Sequence, residues 1–277
     1  MQFDIVTIFP GFFEGFLNHG VLSRALNQGI ATITTHDLRA FTHDRHKTVD
    51  DRPFGGGEGM VLKPAPLVEC VESLALTPKP KRDPAKESVV LLSAQGRRFT
   101  QSVAHQLAAT ERIVFLCGRY EGVDERVNEL LCDRELSIGD YILSGGELGA
   151  AVIIDSIVRL LPGVLGNPDS ARFESFGADL VPTPHIPGHP PASTNAAAGI
   201  LDYPHYTRPA DFRGHPVPDV LTGGSHEDIR RWRRERALEK TMRNRPDLLD
   251  TAPLTDADRF FLSRLHRRSV LEDNDPF

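Results

Sequence analysis

Residues 1–160 alternate short apolar runs with longer stretches in which apolar residues recur at helical spacing. The runs are rich in Val, Ile, Leu and Phe and indicate strands, whereas the longer stretches indicate helices. Strands that alternate with helices are typical of an α/β domain with a mostly parallel sheet. The strands are predicted at residues 3–9, 30–35, 89–93 and 113–117, with a short one near Leu136.

Proline and glycine mark where the predicted helices begin and end. Pro64 stands in the first turn of one helix, Gly29 closes another, and Pro162 follows a third. The helices are predicted at residues 14–27, 64–74, 124–131 and 147–161. The polar, proline-containing residues 77–88 are predicted to form a solvated loop.

The pattern changes in the last third of the chain, where nine of the 21 prolines fall between Pro182 and Pro218. Such an aperiodic segment is typical of a linker or an ordered loop. Further on, Ser225 and Thr255 are each followed by Asp three residues later, which marks two helix starts. Helices are predicted at residues 229–242 and 259–265. The predicted regions are an α/β domain at 1–161, a linker at 162–218 and a helical domain at 219–277.

Composition excludes several classes of protein. The 277 residues are 40% hydrophobic and 25% charged, enough to bury a core and unlike a disordered chain or a fibre. No apolar run approaches the roughly 18 to 20 residues of a membrane span. The start of the chain also lacks the basic flank of a signal peptide. We therefore expect a soluble, cytoplasmic protein without a membrane partner, whose net charge of −6 leaves local basic patches open.

Cysteine and histidine spacing predicts neither a metal site nor a covalent nucleophile. Cys70, Cys117 and Cys132 lie in apolar stretches without CxxC spacing, which indicates buried thiols in a reducing compartment. His43 and His46 lack a third ligand at usable spacing, so no metal is predicted. The sequence also contains no GxSxG turn.

Glycine-containing loops follow three of the predicted strands, at residues 91–99, 116–127 and 137–149. Open α/β sheets bind ligands in the crevice outside the carboxyl ends of their strands. Each loop alone could be a plain turn, but together they indicate a shared pocket, with Tyr120 and Tyr141 as stacking surface. Because neither GxGxxG nor GxxxxGK(S/T) occurs, we expect an adenosine or another small planar ligand without a phosphate cradle.

The helix predicted near the C-terminus is strongly charged. Eight Lys or Arg and five Asp or Glu lie between His226 and Asp247. This pattern is compatible with two alternatives: a solvated charged face, or a surface that contacts a nucleic-acid backbone.

Two of the glycine-containing loops carry motifs specific enough to identify a family. LCGRYEGVDERV at 116–127 and SIGDYILSGGE at 137–147 resemble the motifs of bacterial tRNA (guanine(37)-N1)-methyltransferases, the TrmD family of the SPOUT superfamily. Agreement extends to DIVTIFP at 4–10, THDRHKTVDDRPFGGGEGM at 42–60, PGVLGN at 162–167, LDYPHYTRP at 201–209 and IRRWR at 229–233. The resemblance covers nearly the whole chain.

The resemblance implies an α/β domain with a deep trefoil knot, a homodimer, and a C-terminal helical domain that holds a tRNA with guanine at position 37. It also implies S-adenosylmethionine as the methyl donor and magnesium as a requirement typical of the family. The implied donor ligands are Leu92, Ser93, Ala94, Gly118, Tyr120, Glu121, Gly122, Ser137, Ile138, Gly139, Tyr141, Leu143, Gly145 and Gly146. The implied clamps on the tRNA backbone are Arg230, Arg231, Arg233 and Arg234.

The catalytic pair that the resemblance implies differs from the family at one position. The arginine matches Arg159, but the position of the aspartate holds Glu174. A glutamate is the same base on a longer stem, so we expect Glu174 to remove the guanine N1 proton while Arg159 stabilises charge on the O6 edge. Asp169 is the less favoured substitute. About twenty extra residues near 178–198 lengthen the linker relative to the family.

Two other functions stay open on the sequence alone. A nucleotide-dependent oxidoreductase would fit a parallel sheet, although the missing GxGxxG counts against it. A degenerate, non-catalytic RNA-binding protein would fit the replacement of the aspartate by Glu174.

Overall fold

The computed structural model describes residues 1–166, 174–177 and 199–273, with side chains described up to residue 267. The chain forms two compact units, Met1–Gly166 and Asn167–Phe277. Asp169 and the insertion near 178–198 lie outside the described residues. The predicted bounds of the linker and of the helical domain stay predictions.

The first unit is built on a parallel sheet of five strands in the order β2-β1-β6-β5-β7. The strands are β1 at Gln2–Thr7, β2 at Thr32–Asp37, β5 at Glu87–Arg98, β6 at Arg112–Cys117 and β7 at Arg134–Ser137. Two short strands, β3 at Asp50–Asp51 and β4 at Val61–Leu62, form a separate antiparallel pair. The prediction of an α/β fold with a mostly parallel sheet is confirmed.

Helices of the first unit connect these strands. They are α1 at Glu14–Leu17, α2 at Gly20–Asn27, α3 at Pro64–Ser73, α4 at Gln101–Ala108, α5 at Glu125–Leu131 and α6 at Glu147–Val158. The single helix predicted over 14–27 is wrong, because Gly20 has a φ of 67° and begins a new helix. Helix α4 was not predicted. It begins after Thr100, whose hydroxyl accepts a hydrogen bond from the backbone N–H of Val103.

Helices cover both faces of the sheet. Phe3 and Phe115 lie on one face, where their rings stack at 6.3 Å between centroids and join a core with side chains from α2, α4 and α6. Val6 and Val114 lie on the other face with side chains from α3 and α5. Both faces of β1 and β6 are therefore buried, which explains why these strands are nearly continuous apolar runs.

The segment 77–88 differs from the predicted solvated loop. It contains a 3-10 turn at Lys79–Lys81, and the next residue, Arg82, is buried. Arg82 Nη1 lies 2.8 Å from Asp133 Oδ2, with the two side chains only 3% and 4% exposed, and it donates to the carbonyl of Leu131 at 2.9 Å. Burial of an arginine is tolerated here because its charge is paired and hydrogen-bonded.

The second unit contains a short hairpin and three α-helices among its described residues. The elements are β8 at Asp211–Phe212, β9 at His215–Pro216, α7 at Asp219–Thr222, α8 at His226–Asn244 and α9 at Asp256–Asp273. Both predicted helix starts are confirmed. Ser225 Oγ accepts the N–H of Asp228 at 3.4 Å, and Thr255 and Asp258 exchange two bonds of 2.9 and 3.2 Å. Within the described ranges, no helix combines the length and apolar character needed to cross a membrane.

Candidate active site

A cavity of about 430 Å³ lies at the ends of β6 and β7, where β5 also leaves its pairing with β7 after Leu92. The three predicted glycine-containing loops form its wall. The structure brings together here every residue that the resemblance implies for donor binding: Leu92, Ser93, Ala94, Gly118, Tyr120, Glu121, Gly122, Ser137, Ile138, Gly139, Tyr141, Leu143, Gly145 and Gly146.

Two tyrosines and two glycines shape the cavity loops. The rings of Tyr120 and Tyr141 are about half exposed and offer flat surface to a ligand. Gly122 and Gly139 have φ values of 127° and 156°, which residues with side chains rarely adopt. Tyr120 itself has a φ of 59°, an uncommon conformation for a residue with a side chain, and such strain is often found at binding sites.

The second and third loops touch through their backbones. The N–H of Gly146 donates to the carbonyl of Gly118 at 2.9 Å, and Arg119 forms an antiparallel bridge with Gly145. A Cβ added to Gly146 would lie 2.8 Å from the Cα of Cys117. Glycine is therefore required at this position by the close approach of another backbone.

The first loop lies against the backbone of β7. Leu136 pairs with Leu92 and again with Arg97, so residues 93–96 of β5 bulge out of its pairing with β7. A Cβ added to Gly96 would lie 2.5 Å from the backbone N of Leu136, and the N–H of Phe99 donates to the carbonyl of Ser137 at 2.7 Å. The two chain segments are thus in backbone contact.

A buried carboxylate lies under the cavity. Glu147, the first residue of α6, is only 1% exposed. Its Oε1 accepts the hydroxyl of Thr7 at 2.7 Å and Arg119 Nε at 3.1 Å, and its Oε2 lies 2.9 Å from Arg119 Nη2. The guanidinium of Arg119 also donates to the carbonyl of Ser144 at 3.1 Å and lies over the ring of Phe9. None of these roles was predicted from the sequence.

The glycine-rich loop at 50–60 adjoins the cavity, although its sequence alone indicates no particular function. The N–H of Glu121 donates to the carbonyl of Met60 at 3.0 Å, and the N–H of Leu62 donates to the carbonyl of Gly122 at 3.0 Å. The side chain of Glu121 lies against Gly59, where a Cβ would collide with it. Backbone and side-chain contacts therefore hold Glu121 against the loop at 50–60.

The two residues of the implied catalytic pair belong to different units. Arg159 directly follows α6 and is partly exposed. Glu174 is also partly exposed and begins the described stretch 174–177. This stretch is anchored within the second unit, because Phe176 N–H donates to the carbonyl of Ile200 at 3.0 Å and Asp202 N–H donates to Ser175 Oγ at 2.9 Å.

The four arginines implied for tRNA binding differ in their surroundings. Arg230 and Arg231 are exposed, and Arg231 forms an exposed ion pair with Asp228 at 2.7 Å. Arg233 lies over the ring of Tyr203, 4.9 Å from its centroid. Arg234 forms an ion pair with Asp258 of α9 and is mostly buried.

Comparison with known proteins identifies the family. The family model described as tRNA (Guanine-1)-methyltransferase TrmD matches residues 1–251. The chain belongs to the TrmD family.

Curated TrmD relatives named tRNA (guanine-N(1)-)-methyltransferase match at nearly full length. The relative from Koribacter versatilis is 58% identical over 265 residues, which cover 96% of this chain and 98% of the relative. The relative from Moorella thermoacetica is 48% identical over 268 residues, covering 97% and 98%. The relative from Geobacter metallireducens is 47% identical over 265 residues, covering 96% and 98%. The resemblance inferred from the motifs is confirmed, and TrmD is a family of methyltransferases rather than oxidoreductases.

None of the described cysteines or histidines lines the cavity. Cys70, Cys117 and Cys132 are buried as predicted, and burial raises the pKa of Cys70 and of Cys132 to about 12. His43 contacts Glu69 at 2.8 Å. Across the described residues, no group of three or more His, Cys, Asp or Glu side chains is placed to hold a metal ion.

Proposed function

We propose that this protein transfers the methyl group of S-adenosylmethionine to N1 of guanine 37 in the anticodon loop of tRNA. The observation that carries the proposal is the cavity, because it unites on three loops the residues that the resemblance implies for donor binding. Membership in the tRNA (guanine-1)-methyltransferase family supports the reaction type. The relatives named for tRNA guanine-N1 methylation match over nearly their whole length.

The cavity suits S-adenosylmethionine in size and chemistry. Its volume of about 430 Å³ falls within the ~300–1,000 Å³ typical of small-molecule sites. Tyr120 and Tyr141 offer flat apolar surface, and Glu121, Glu125 and Glu135 offer carboxylates to a cation. The bound donor would supply the methyl group as a substituent of a sulfonium.

Glu174 acts as the general base in this proposal. Guanine N1 carries a proton at neutral pH and becomes a nucleophile only when a base removes that proton. A positioned carboxylate is sufficient for this step, and the partly exposed Glu174 occupies the place of the family's aspartate. The guanidinium of Arg159 stabilises the negative charge that develops on the O6 edge of the base.

The guanine must leave the anticodon stack to react. N1 lies on the Watson–Crick edge, so the nucleotide is splayed out and read in a pocket. Arg230 and Arg231, which are exposed on α8, bind tRNA phosphates in this proposal. Arg233 and Arg234 contribute less directly, because their guanidinium groups already contact Tyr203 and Asp258.

The close backbone contact between the first loop and β7 is compatible with the trefoil knot that the resemblance implies. Knots are rare in proteins. We infer that the loops of the knot are also the loops that hold the donor.

A homodimer would cover apolar side chains that the first unit leaves exposed. Leu148 and Val152 stand four residues apart on α6 and are 50% and 46% exposed. Phe9 and Phe12, in the segment after β1, are also exposed. Two exposed apolar side chains at helical spacing on one helix fit an interaction surface.

The location, the linker and the metal requirement complete the proposal. The protein acts in the cytoplasm, and residues 162–218 link the donor-binding domain to a helical tRNA-binding domain at 219–277. We assign no residue to magnesium, since the described residues hold no cluster suited to it. Assays of methyl transfer therefore include magnesium, but the proposal gives magnesium no step in the reaction.

Labelled S-adenosylmethionine and two unmodified tRNA transcripts test the proposal. We expect label to enter the transcript with guanine at position 37 and not the one with adenine. Nucleoside analysis should identify 1-methylguanosine. Tight binding of both the donor and the tRNA without transfer would contradict catalysis and favour the non-catalytic RNA-binding protein.

A further inference from the structure

One cation stands among several carboxylates in the wall of the cavity. Of the described residues that line it, Arg119 is the only Lys or Arg, whereas Glu121, Glu125 and Glu135 are acidic. The methyl donor of the proposed function carries a positive sulfonium. An unpaired guanidinium here would repel that ligand.

The charge of Arg119 is matched by one buried partner. Arg119 Nε donates to Glu147 Oε1 at 3.1 Å, and Nη2 lies 2.9 Å from Oε2, so the guanidinium and the carboxylate form an ion pair. The Arg119 side chain is 19% exposed and that of Glu147 is 1% exposed, so water screens the pair weakly. Thr7 adds a neutral hydrogen bond of 2.7 Å to the same carboxylate.

The same contacts fix the spacing of two cavity loops. Arg119 follows Gly118 in the second loop, and Glu147 follows Gly146 in the third. Arg119 also donates to the carbonyl of Ser144, in the third loop, at 3.1 Å. The side-chain pair thus reinforces the backbone contact between the loops.

We propose that Arg119 and Glu147 are positioning residues: their ion pair holds the two loops together, and Glu147 neutralises the only Lys or Arg charge among the described residues that line the cavity, so that it does not repel the sulfonium. This inference rests on the proposed function, because it takes S-adenosylmethionine as the ligand. It assigns Glu147 a role in donor selectivity that a purely structural residue would not have.

Calorimetric titration of the full-length protein with two ligands separates these roles. S-adenosylmethionine carries the sulfonium charge, whereas S-adenosylhomocysteine has a neutral thioether and is otherwise nearly the same. Glu147→Gln keeps hydrogen-bonding capacity but leaves the guanidinium charge unmatched. We expect its Kd for S-adenosylmethionine to rise about fivefold more than its Kd for S-adenosylhomocysteine, the effect of like charges in a partly wet site.

Three further variants control the measurement. Thr7→Val removes a hydrogen bond without changing charge and should leave the ratio of the two Kd values at its parent value. The double variant Arg119→Met with Glu147→Gln is neutral and should restore that ratio, although both ligands bind more weakly. Arg119→Met alone leaves the carboxylate charge and should shift the ratio in the opposite direction, which keeps a test available if Glu147→Gln does not fold.

Circular dichroism and thermal melting establish which variants are folded. An unchanged ratio of Kd values in folded Glu147→Gln or Arg119→Met would overturn the inference and leave the proposed function intact. A parent protein that binds neither ligand would instead refute the proposed donor, and this inference with it.

Discussion

Arg234 of α8 and Asp258 of α9 form a two-pronged ion pair within the second unit. Nε and Nη2 of the arginine lie 3.0 and 2.9 Å from the two carboxylate oxygens. The carboxylate also accepts the N–H of Thr255 at 2.9 Å, so it joins a helix start to the neighbouring helix. One of the four arginines implied for tRNA binding therefore has a structural partner.

We expect Arg234→Met to lower the free energy of unfolding of the protein and to have a smaller effect on the free energy of tRNA binding. Removing one partner of a mostly buried ion pair leaves the other charge uncompensated. The free energy of unfolding should fall by about 2–3 kcal/mol, somewhat less than for a fully buried pair. Urea unfolding measures this loss, with Arg230→Met as the exposed control that should unfold like the parent. Equal stability of the two variants would contradict a structural role for Arg234.

Arg230→Gln and Arg231→Gln should weaken tRNA binding without loss of stability. Each exposed arginine that neutralises a phosphate adds about 0.7–0.9 to the slope of log K against log salt concentration. We expect each substitution to reduce the measured slope by about that amount. Arg243→Gln, thirteen residues after Arg230 and roughly 20 Å further along α8, is the matched control. A slope that stays the same in all three variants would place the tRNA contact elsewhere.

Glu174→Gln should abolish most methyl transfer while donor binding is unchanged. The amide cannot accept the N1 proton, and loss of a general base lowers kcat by about 10² to 10⁴. Glu174→Asp keeps the carboxylate but displaces it by one methylene. Its kcat should therefore stay within about tenfold of the parent value. Glu227 is an exposed glutamate on α8, and the same change there, Glu227→Gln, should leave the enzyme fully active. If Glu174→Gln is nearly as fast as the parent, Asp169 becomes the candidate base.

The sequence predicted the sheet better than the contacts beneath the cavity, for physical reasons. Strands β1 and β6 are buried on both faces and are therefore unmistakable apolar runs. Helix α4 has only eight residues, so its periodicity is weak, and Thr100 is its main signal. The hydrogen bond between Thr7 and Glu147 joins residues 140 positions apart, and no local pattern reports such a contact.

The candidate site was likewise predicted in part. Glycines at strand ends located the three cavity loops, because close backbone approach and positive φ require them. Outside the site, the sequence did not predict the burial of Arg82, because its segment has the composition of a solvated loop. Its partner, Asp133, lies about fifty residues away, and only the folded chain brings the two charges together.

Asp4 should make stability depend on pH at the acid end. Burial by itself raises the pKa of this carboxyl, but hydrogen bonds and charge from His36 and Arg112 outweigh it and hold the pKa below the ordinary 3.8. The stabilisation is therefore present above the unfolded-state pKa of about 3.8 and is lost as the pH falls through the lower folded-state value.

Urea unfolding of Asp4→Asn between pH 3 and pH 7 tests this dependence. The variant should be less stable than the parent by about 2 kcal/mol at pH 7, and the difference should shrink toward pH 3. Glu72→Gln, an exposed carboxylate on α3, should follow the parent throughout. A constant difference between Asp4→Asn and the parent at every pH would show that titration of Asp4 is not the cause.

Gly146→Ala should damage the cavity through one methyl group. The φ of Gly146 is −75°, which alanine adopts readily, so the backbone conformation itself gives no reason for glycine. The added Cβ would instead lie 2.8 Å from the Cα of Cys117 and 3.2 Å from the N of Gly118, so one of the two loops must move. We expect the affinity for S-adenosylhomocysteine to fall at least about tenfold, because misplacement by a fraction of an ångström breaks several polar contacts at once. Gly15→Ala in α1 is the matched control, since nothing lies within 4 Å of its new methyl group, and it should bind like the parent.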